Sequence, residues 1–231
     1  MDGLKIIFNM FFENEKAVKA TIPFATVTFI ILLIHSIAYS QSQEDVSTLV
    51  QRGIYLFNQK QYDDAIKTFD KVLAIEPNNS YALNQKGVAL FTLGRTDEAS
   101  KTFDKVLAIE PNNIRALNNK GLLSGIIGEH DQALAFFNRT LVIDTNNTEA
   151  LNGKALALNF MGKPNEGLVY LDKALAINPN NTDVLTSKGL VLNSLGRHDD
   201  ALGIFNKILS IDPNNFYAFN IRMRLQQANV T

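Results

Sequence analysis

Apolar and small positions recur along most of this chain with a step that never changes. Between Ser80 and Asn113, Leu83, Lys86, Gly87 and Leu90 fall three and four residues apart, which is one stripe of an α-helix. Gly94 ends that helix by supplying a backbone that tolerates positive φ. Asp97 and Glu98 stand in the first turn of a second helix, where the helix dipole favours negative charge. Ala99, Phe103, Val106 and Ile109 form its apolar stripe. Pro111 cannot continue a helix, and Asn113 is placed to cap the next one.

The same unit returns along the chain. Glu76-Pro77-Asn78-Asn79 recurs as Glu110-Pro111-Asn112-Asn113, Asp144-Thr145-Asn146-Asn147, Asn178-Pro179-Asn180-Asn181 and Asp212-Pro213-Asn214-Asn215, each 34 residues after the last. Small residues keep that step at Gly53, Gly87, Gly121, Ala155 and Gly189, and at Ala65, Ala99, Ala133, Gly167 and Ala201. Large ones keep it at Leu49, Leu83, Leu117, Leu151 and Leu185, and at Phe69, Phe103, Phe137, Leu171 and Phe205. Helix pairs are therefore predicted near 47–60 and 63–76 and at every 34-residue step through 215, in five units: 46–79, 80–113, 114–147, 148–181 and 182–215. One hairpin cannot bury its own apolar face, whereas stacked neighbours can. The fold predicted is an all-α solenoid of helix-turn-helix units. Residues 216–231 start like a sixth first helix without a partner and read as a C-terminal capping helix, near 216–228, and a tail.

At these small–large columns, with the 34-residue period and the terminal proline, the chain resembles the tetratricopeptide repeat (TPR) family. The resemblance implies a right-handed superhelix whose first helices line a concave groove that binds a protein or peptide segment. The helical period says which columns share that face. One reads Val50, Asn84, Asn118, Asn152 and Thr186, with Asn220 in the cap. The next reads Ile54, Val88, Leu122, Leu156 and Leu190, and a turn further on come Phe57, Phe91, Gly125, Asn159 and Asn193. A carboxamide donates and accepts at once, which suits the amides of an extended peptide, and the aliphatic residues one turn away suit its side chains. Candidate groove residues are thus Asn84, Asn118, Asn152, Val88, Leu122, Leu156, Phe57 and Phe91. The asparagines are expected to point into the concavity, so that alanine in their place leaves no buried gap. A basic carboxylate clamp, as in chaperone-binding members of the family, would need lysine in the asparagine column and asparagine in the aliphatic one, and neither is present.

Departures from the pattern carry expectations too. Arg52, Lys86, Lys120, Lys154, Lys188 and Arg222 hold a column where the family often has leucine; their stems are expected to pack while the charged ends reach solvent or a carboxylate. Thr145 replaces the proline, Ser124 and Gly125 replace large residues, and the fourth unit carries Pro164 and Gly167. Because glycine inside a helix costs about 1 kcal/mol relative to alanine, the third and fourth units are expected to be the looser ones.

Ahead of the repeats, no Asp, Glu, Lys or Arg occurs from Ala20 to Gln43, and residues 24–38 are almost wholly apolar. Lys5, Lys16 and Lys19 precede this run and the first basic residue after it is Arg52, an asymmetry that keeps the N-terminus in the cytoplasm and sends the rest across the membrane. Two readings share that orientation: residues 1–40 as a signal peptide cut before Gln41, or residues 20–38 as an uncleaved anchor, with 41–45 a short linker in either case. The repeats are then extracytoplasmic, secreted or membrane-anchored.

Composition and motifs add mostly exclusions. A net charge of −1 lacks the electrostatic footprint of a nucleic-acid binder. The chain has no cysteine, hence no disulfide, thiolate catalysis or zinc–thiolate site. It has no phosphate loop, no Gly-x-Ser-x-Gly and no His-Glu-x-x-His. His130 and His198 are two units apart and read as spacers between helices. No catalytic residue, cofactor, metal site or small-molecule substrate is expected. Asn78, Asn138, Asn146, Asn180 and Asn229 open Asn-x-Ser/Thr sequons and are candidate glycan acceptors on an exported chain, three of them by-products of the Asn-Asn turn. The leading reading is an exported adaptor. A non-catalytic specificity subunit of a cell-envelope enzyme and a self-assembling structural repeat are the alternatives.

Overall fold

The computed structural model describes residues 45–228. Two compact units divide the chain, Met1–Thr48 and Leu49–Thr231, and the architecture below is that of the second. The readings on residues 1–40, on the apolar run and on Asn229 lie outside the described residues.

Eleven helices and no strand occur among the described residues. The first pair is α1 (Val46–Asn58) with α2 (Tyr62–Ile75). It is followed by α3 (Ser80–Thr92) with α4 (Thr96–Ile109) and α5 (Ile114–Ile126) with α6 (His130–Ile143). Next come α7 (Thr148–Phe160) with α8 (Pro164–Ile177) and α9 (Thr182–Ser194) with α10 (His198–Ile211), and α11 (Phe216–Ala228) ends the array. Helices pack on their chain neighbours, and consecutive first helices also touch, α3 on α5, α5 on α7 and α7 on α9. That extra layer of contact sets the first helices on the inner side of the stack.

The punctuation works as the residue types dictate. Asn79, Asn113 and Asn147 sit in extended conformation before α3, α5 and α7, and their side chains accept from the amides of Ala82, Ala116 and Ala150 at 2.9, 3.0 and 2.9 Å. Asn181 and Asn215 accept likewise from Val184 and Ala218. Each such cap stabilises its helix by about 1 kcal/mol. Second helices have no side-chain cap and instead start with carboxylates, Asp63 and Asp64 in α2 and Asp97 and Glu98 in α4. Between the helices of a pair the chain turns through a left-handed residue: Gly94, Gly128, Gly162 and Gly196, with φ between 72° and 85°. The first pair places Lys60 there, at φ 61°.

The glycine column has a definite purpose. A Cβ on Gly53 or Gly121 would lie 2.6 or 2.7 Å from the ring of Phe69 or Phe137, and one on Gly87 would press closer still on Phe103. Glycine therefore makes room for the phenylalanine of the second helix. Those rings are at most 2% exposed and form the centre of the core with Phe205. The fourth unit reverses the arrangement, with Ala155 on the first helix and Gly167 on the second. A Cβ on Gly167 would stand 2.7 Å from the Ala155 carbonyl oxygen. In this unit Gly167 admits direct backbone approach, Leu171 is fully buried, and Pro164 occupies the first turn of α8, where a missing N–H costs nothing.

Candidate functional site

Of the candidate groove residues, the asparagines differ most from expectation. Asn84 and Asn118 do not point freely into a concavity: they are 4% and 1% exposed. Asn84 Nδ2 donates to the cap oxygen Asn113 Oδ1 at 3.3 Å, and Asn118 Nδ2 donates both to Asn147 Oδ1 at 3.1 Å and to Glu149 Oε2 at 2.9 Å. The amide thus reaches along the stack and fastens one first helix to the cap of the next. Because the cap oxygen already accepts a backbone N–H, Nδ2 must face it, and the Oδ1 atoms of Asn84 and Asn118 are left buried without a partner. Asn152 is half-buried, and its Oδ1 is also buried and unpartnered.

The cap asparagines extend this connection. Asn113 Nδ2 donates to Glu110 Oε2 at 2.6 Å, and the other carboxylate oxygen of Glu110 accepts from Ser80 Oγ at the start of the same unit. The Ser80 bond, then the Asn113 bond, hold the Glu110 carboxyl below its ordinary value of 4.5. The lysine column makes a second connection between units. Lys86 reaches Asp70 at 2.5 Å, Lys120 reaches Asp104 at 2.8 Å and Lys188 reaches Asp172 at 2.6 Å, always from a first helix to the preceding second helix. Lys154 meets Asn138 Oδ1 at 2.6 Å and lies 4.2 Å from the Tyr170 ring centroid. The lysine stems pack and their ends find partners, as the residue pattern implies, whereas Arg222 Nε is buried with no hydrogen-bond partner.

The apolar candidates are half-buried. Phe57, Val88 and Phe91 lean on the core formed by Ile66, Leu90 and Phe103, and Leu122 on that formed by Phe137 and Ala157. Two pockets open among the first helices. One, about 200 Å³, is lined by Asn84, Gln85 and Val88 of α3, Arg115 and Asn119 of α5 and Glu149 of α7. The other, about 470 Å³, is lined by α5, α6 and α7, with Leu122, Leu156, His130 and Phe160 among its walls. Asn118 and Asn152 line neither pocket, and Phe57 and Phe91 stand apart from both.

Gln85, Arg115, Asn119 and Glu149 line the smaller pocket and were not legible as site residues. Tyr81, Arg115 and Glu149 keep the 34-residue step one position into each first helix, a column whose mixed chemistry hides its shared place; Arg115 lies 5.9 Å from the Tyr81 ring centroid. His130 is more than a spacer, since it lines the larger pocket with its ring stacked on Phe160. Asn78, Asn138, Asn146 and Asn180 are exposed, although the sequon hydroxyl of Thr140 is buried. No group of side chains suited to a metal ion occurs among the described residues, and none of their helices is long and apolar enough to cross a membrane.

Comparison with known proteins agrees with this architecture. The sequence model described as tetratricopeptide repeat matches residues 56–121 and 161–225. A thermophilic TPR protein of Thermus thermophilus superposes with a TM-score of 0.70 at 19% identity, over 81% of this chain and 100% of its own. PilF of Pseudomonas aeruginosa gives 0.68 at 19% identity, over 79% of this chain and 83% of its own. YrrB, described as a TPR protein with an unusual peptide-binding site, gives 0.57 at 20% identity, over 81% and 97%. No curated protein matches the sequence. At these identities the solved structures speak for the fold alone.

Proposed function

The chain belongs to the tetratricopeptide repeat family, a fold of protein–protein interaction scaffolds, and we propose that it is an extracytoplasmic adaptor holding an extended segment of a partner protein along its first helices. The observation that carries this reading is the pair of pockets over the second to fourth units, one lined mainly by polar and one by apolar side chains. Gln85, Arg115, Asn119 and Glu149 offer donors and acceptors to a peptide backbone, and Leu122, Leu156 and Phe160 offer apolar surface to its side chains. YrrB, a neighbour in fold, is described as having a peptide-binding site, which is consistent with such use of the face. Asn84 and Asn118 enter this reading as groove builders, since their amides are already spent on the array.

The test is site-specific photo-crosslinking in the full-length chain, with the reactive residue at Gln85 or, as control, at exposed Lys71 on the second helix of the first unit. Discrete partner adducts from Gln85 and none from Lys71 are expected. Adducts from Lys71 alone would move the binding surface to the outer face. The compartment rests on the charge asymmetry around residues 20–38. Reporter fusions at Thr231 check it: an export-dependent enzyme should be active there, and a reporter fluorescent only in the cytoplasm should be dark.

A further inference from the structure

The twelfth and seventeenth positions of a unit meet across its hairpin turn. In the first unit Phe57 and Tyr62 pack edge to face, with centroids 5.1 Å apart and planes at 66°. In the fifth, His198 Nδ1 lies 2.9 Å from Asn193 Oδ1. The third unit combines a histidine, His130, with a glycine, Gly125, and two things follow. A Cβ placed on Gly125 would meet only the Ala133 methyl, at 3.9 Å. His130 Nδ1 is buried with no hydrogen-bond partner. Both residues line the 470 Å³ pocket. Its walls are Leu122 and Leu156, the Phe137 ring lies beneath, and Phe160 stacks on His130 at 5.1 Å and 6°.

We propose that this pocket is the specificity pocket of the groove and that it takes a tyrosine or tryptophan side chain carried by the partner segment. The inference rests on the groove reading and adds the chemistry of the residue recognised. Five observations converge on it. At this position the first and second units place their own phenyl rings, Phe57 and Phe91, so the fold accommodates a flat side chain there. No carboxylate, ammonium or guanidinium lines the pocket, so a charged side chain would be desolvated without compensation. An aliphatic one would leave Nδ1 unpaired, whereas a phenol O–H or indole N–H donates to it once the imidazole turns that nitrogen toward the pocket. The volume falls within the range of about 300–1,000 Å³ usual for specific ligand sites. Phe160, 67% exposed, offers a flat apolar rim on which an incoming ring can settle. A peptide is favoured over a free aromatic molecule because the polar pocket of Gln85, Arg115 and Asn119 shares helices α5 and α7 with this one.

N-acetyl-tyrosinamide, N-acetyl-tryptophanamide, N-acetyl-phenylalaninamide and N-acetyl-leucinamide are to be titrated into the isotope-labelled full-length chain, following the amide resonances of Gly121, Gly125, Gly128 and Gly153. The tyrosine and tryptophan amides should give saturable shifts about threefold to tenfold tighter than the phenylalanine amide, the value of one hydrogen bond. The leucine amide should be weakest. Gly125→Phe should abolish the shifts while circular dichroism stays helical, and His130→Phe should erase the advantage of the polar-edged rings. Unsaturable shifts in the wild type, equal binding by Gly125→Phe, or a leucine amide as tight as the aromatic ones would overturn the proposal. Should Gly125→Phe misfold, the His130→Phe arm decides alone. Crosslinks from Gln85 with no aromatic selectivity would sink the pocket and leave the groove standing; the reverse pattern would do the opposite.

Discussion

Asn118 and Asn152 occupy the same column one unit apart, yet alanine should act on them with opposite signs. Asn118→Ala removes a neutral hydrogen bond to Asn147 Oδ1 and one to the carboxylate of Glu149. The first contributes about 1 kcal/mol, and the second is taken at a similar value because Glu149 is exposed. Against that loss of about 2 kcal/mol stand alanine's better helix propensity, up to about 0.7 kcal/mol, and removal of the unpartnered Oδ1. The net is a destabilisation of about 1 kcal/mol, or a melting temperature lower by about 2–4 °C for a chain of this size. Asn152→Ala removes only a half-buried amide whose Oδ1 has no partner, so it should be neutral or stabilising by about 0.5 kcal/mol. Thermal and urea unfolding of the full-length chain, read by circular dichroism, measures both. A double-mutant cycle with Glu149→Ala should return a coupling of about 0.5–1 kcal/mol with Asn118 and none with Asn152. Equal effects at the two sites, or no coupling to Glu149, would refute the connection between first helices.

Three further outcomes follow from the same contacts. Lys60→Gly should stabilise the first unit by up to about 1 kcal/mol in urea unfolding, since it relieves the left-handed lysine at φ 61° but frees the unfolded chain. Gly87→Ala should destabilise by about 1–3 kcal/mol, because its Cβ would press on the buried Phe103 ring, while Gly125→Ala should gain about 1 kcal/mol; the two melting curves should shift in opposite directions. Ser80 and Asn113 hold the Glu110 carboxyl below 4.5, so its contribution is complete above that pH and is lost as pH falls through the depressed value; Glu110→Gln should flatten the acid limb of a stability profile recorded below pH 4.5.

The helices, their caps and the glycine turns were legible because each depends on local chemistry that repeats, five times for the cap asparagines and four for the left-handed glycines. Asn113 caps and Gly94 turns whatever surrounds them. The groove was legible only in part. Helical period placed Val88, Leu122 and Leu156 on a pocket-lining face, but it could not say that a side chain on that face would be drawn sideways to the cap of the next first helix, as Asn118 is to Asn147. That outcome depends on the distance between stacked helices, which no single unit encodes. The same limit explains the fourth unit, where Gly167 reads as a helix weakener in sequence and is a contact surface for Ala155 in three dimensions.

The lysine–carboxylate connections run from one unit to its neighbour, and the asparagine–cap connections from one first helix to the cap of the next, and neither goes further. An array built from such bonds has no fixed length. A whole 34-residue block copied in frame brings its own lysine, cap and ring, and it finds ready-made partners on both sides. Evolution or a protein engineer can therefore lengthen the stack without redesigning it. The third block is the exception: Gly125 and His130 belong to it but Leu156 and Phe160 to its successor, so an insertion between them would lengthen the stack and split this pocket.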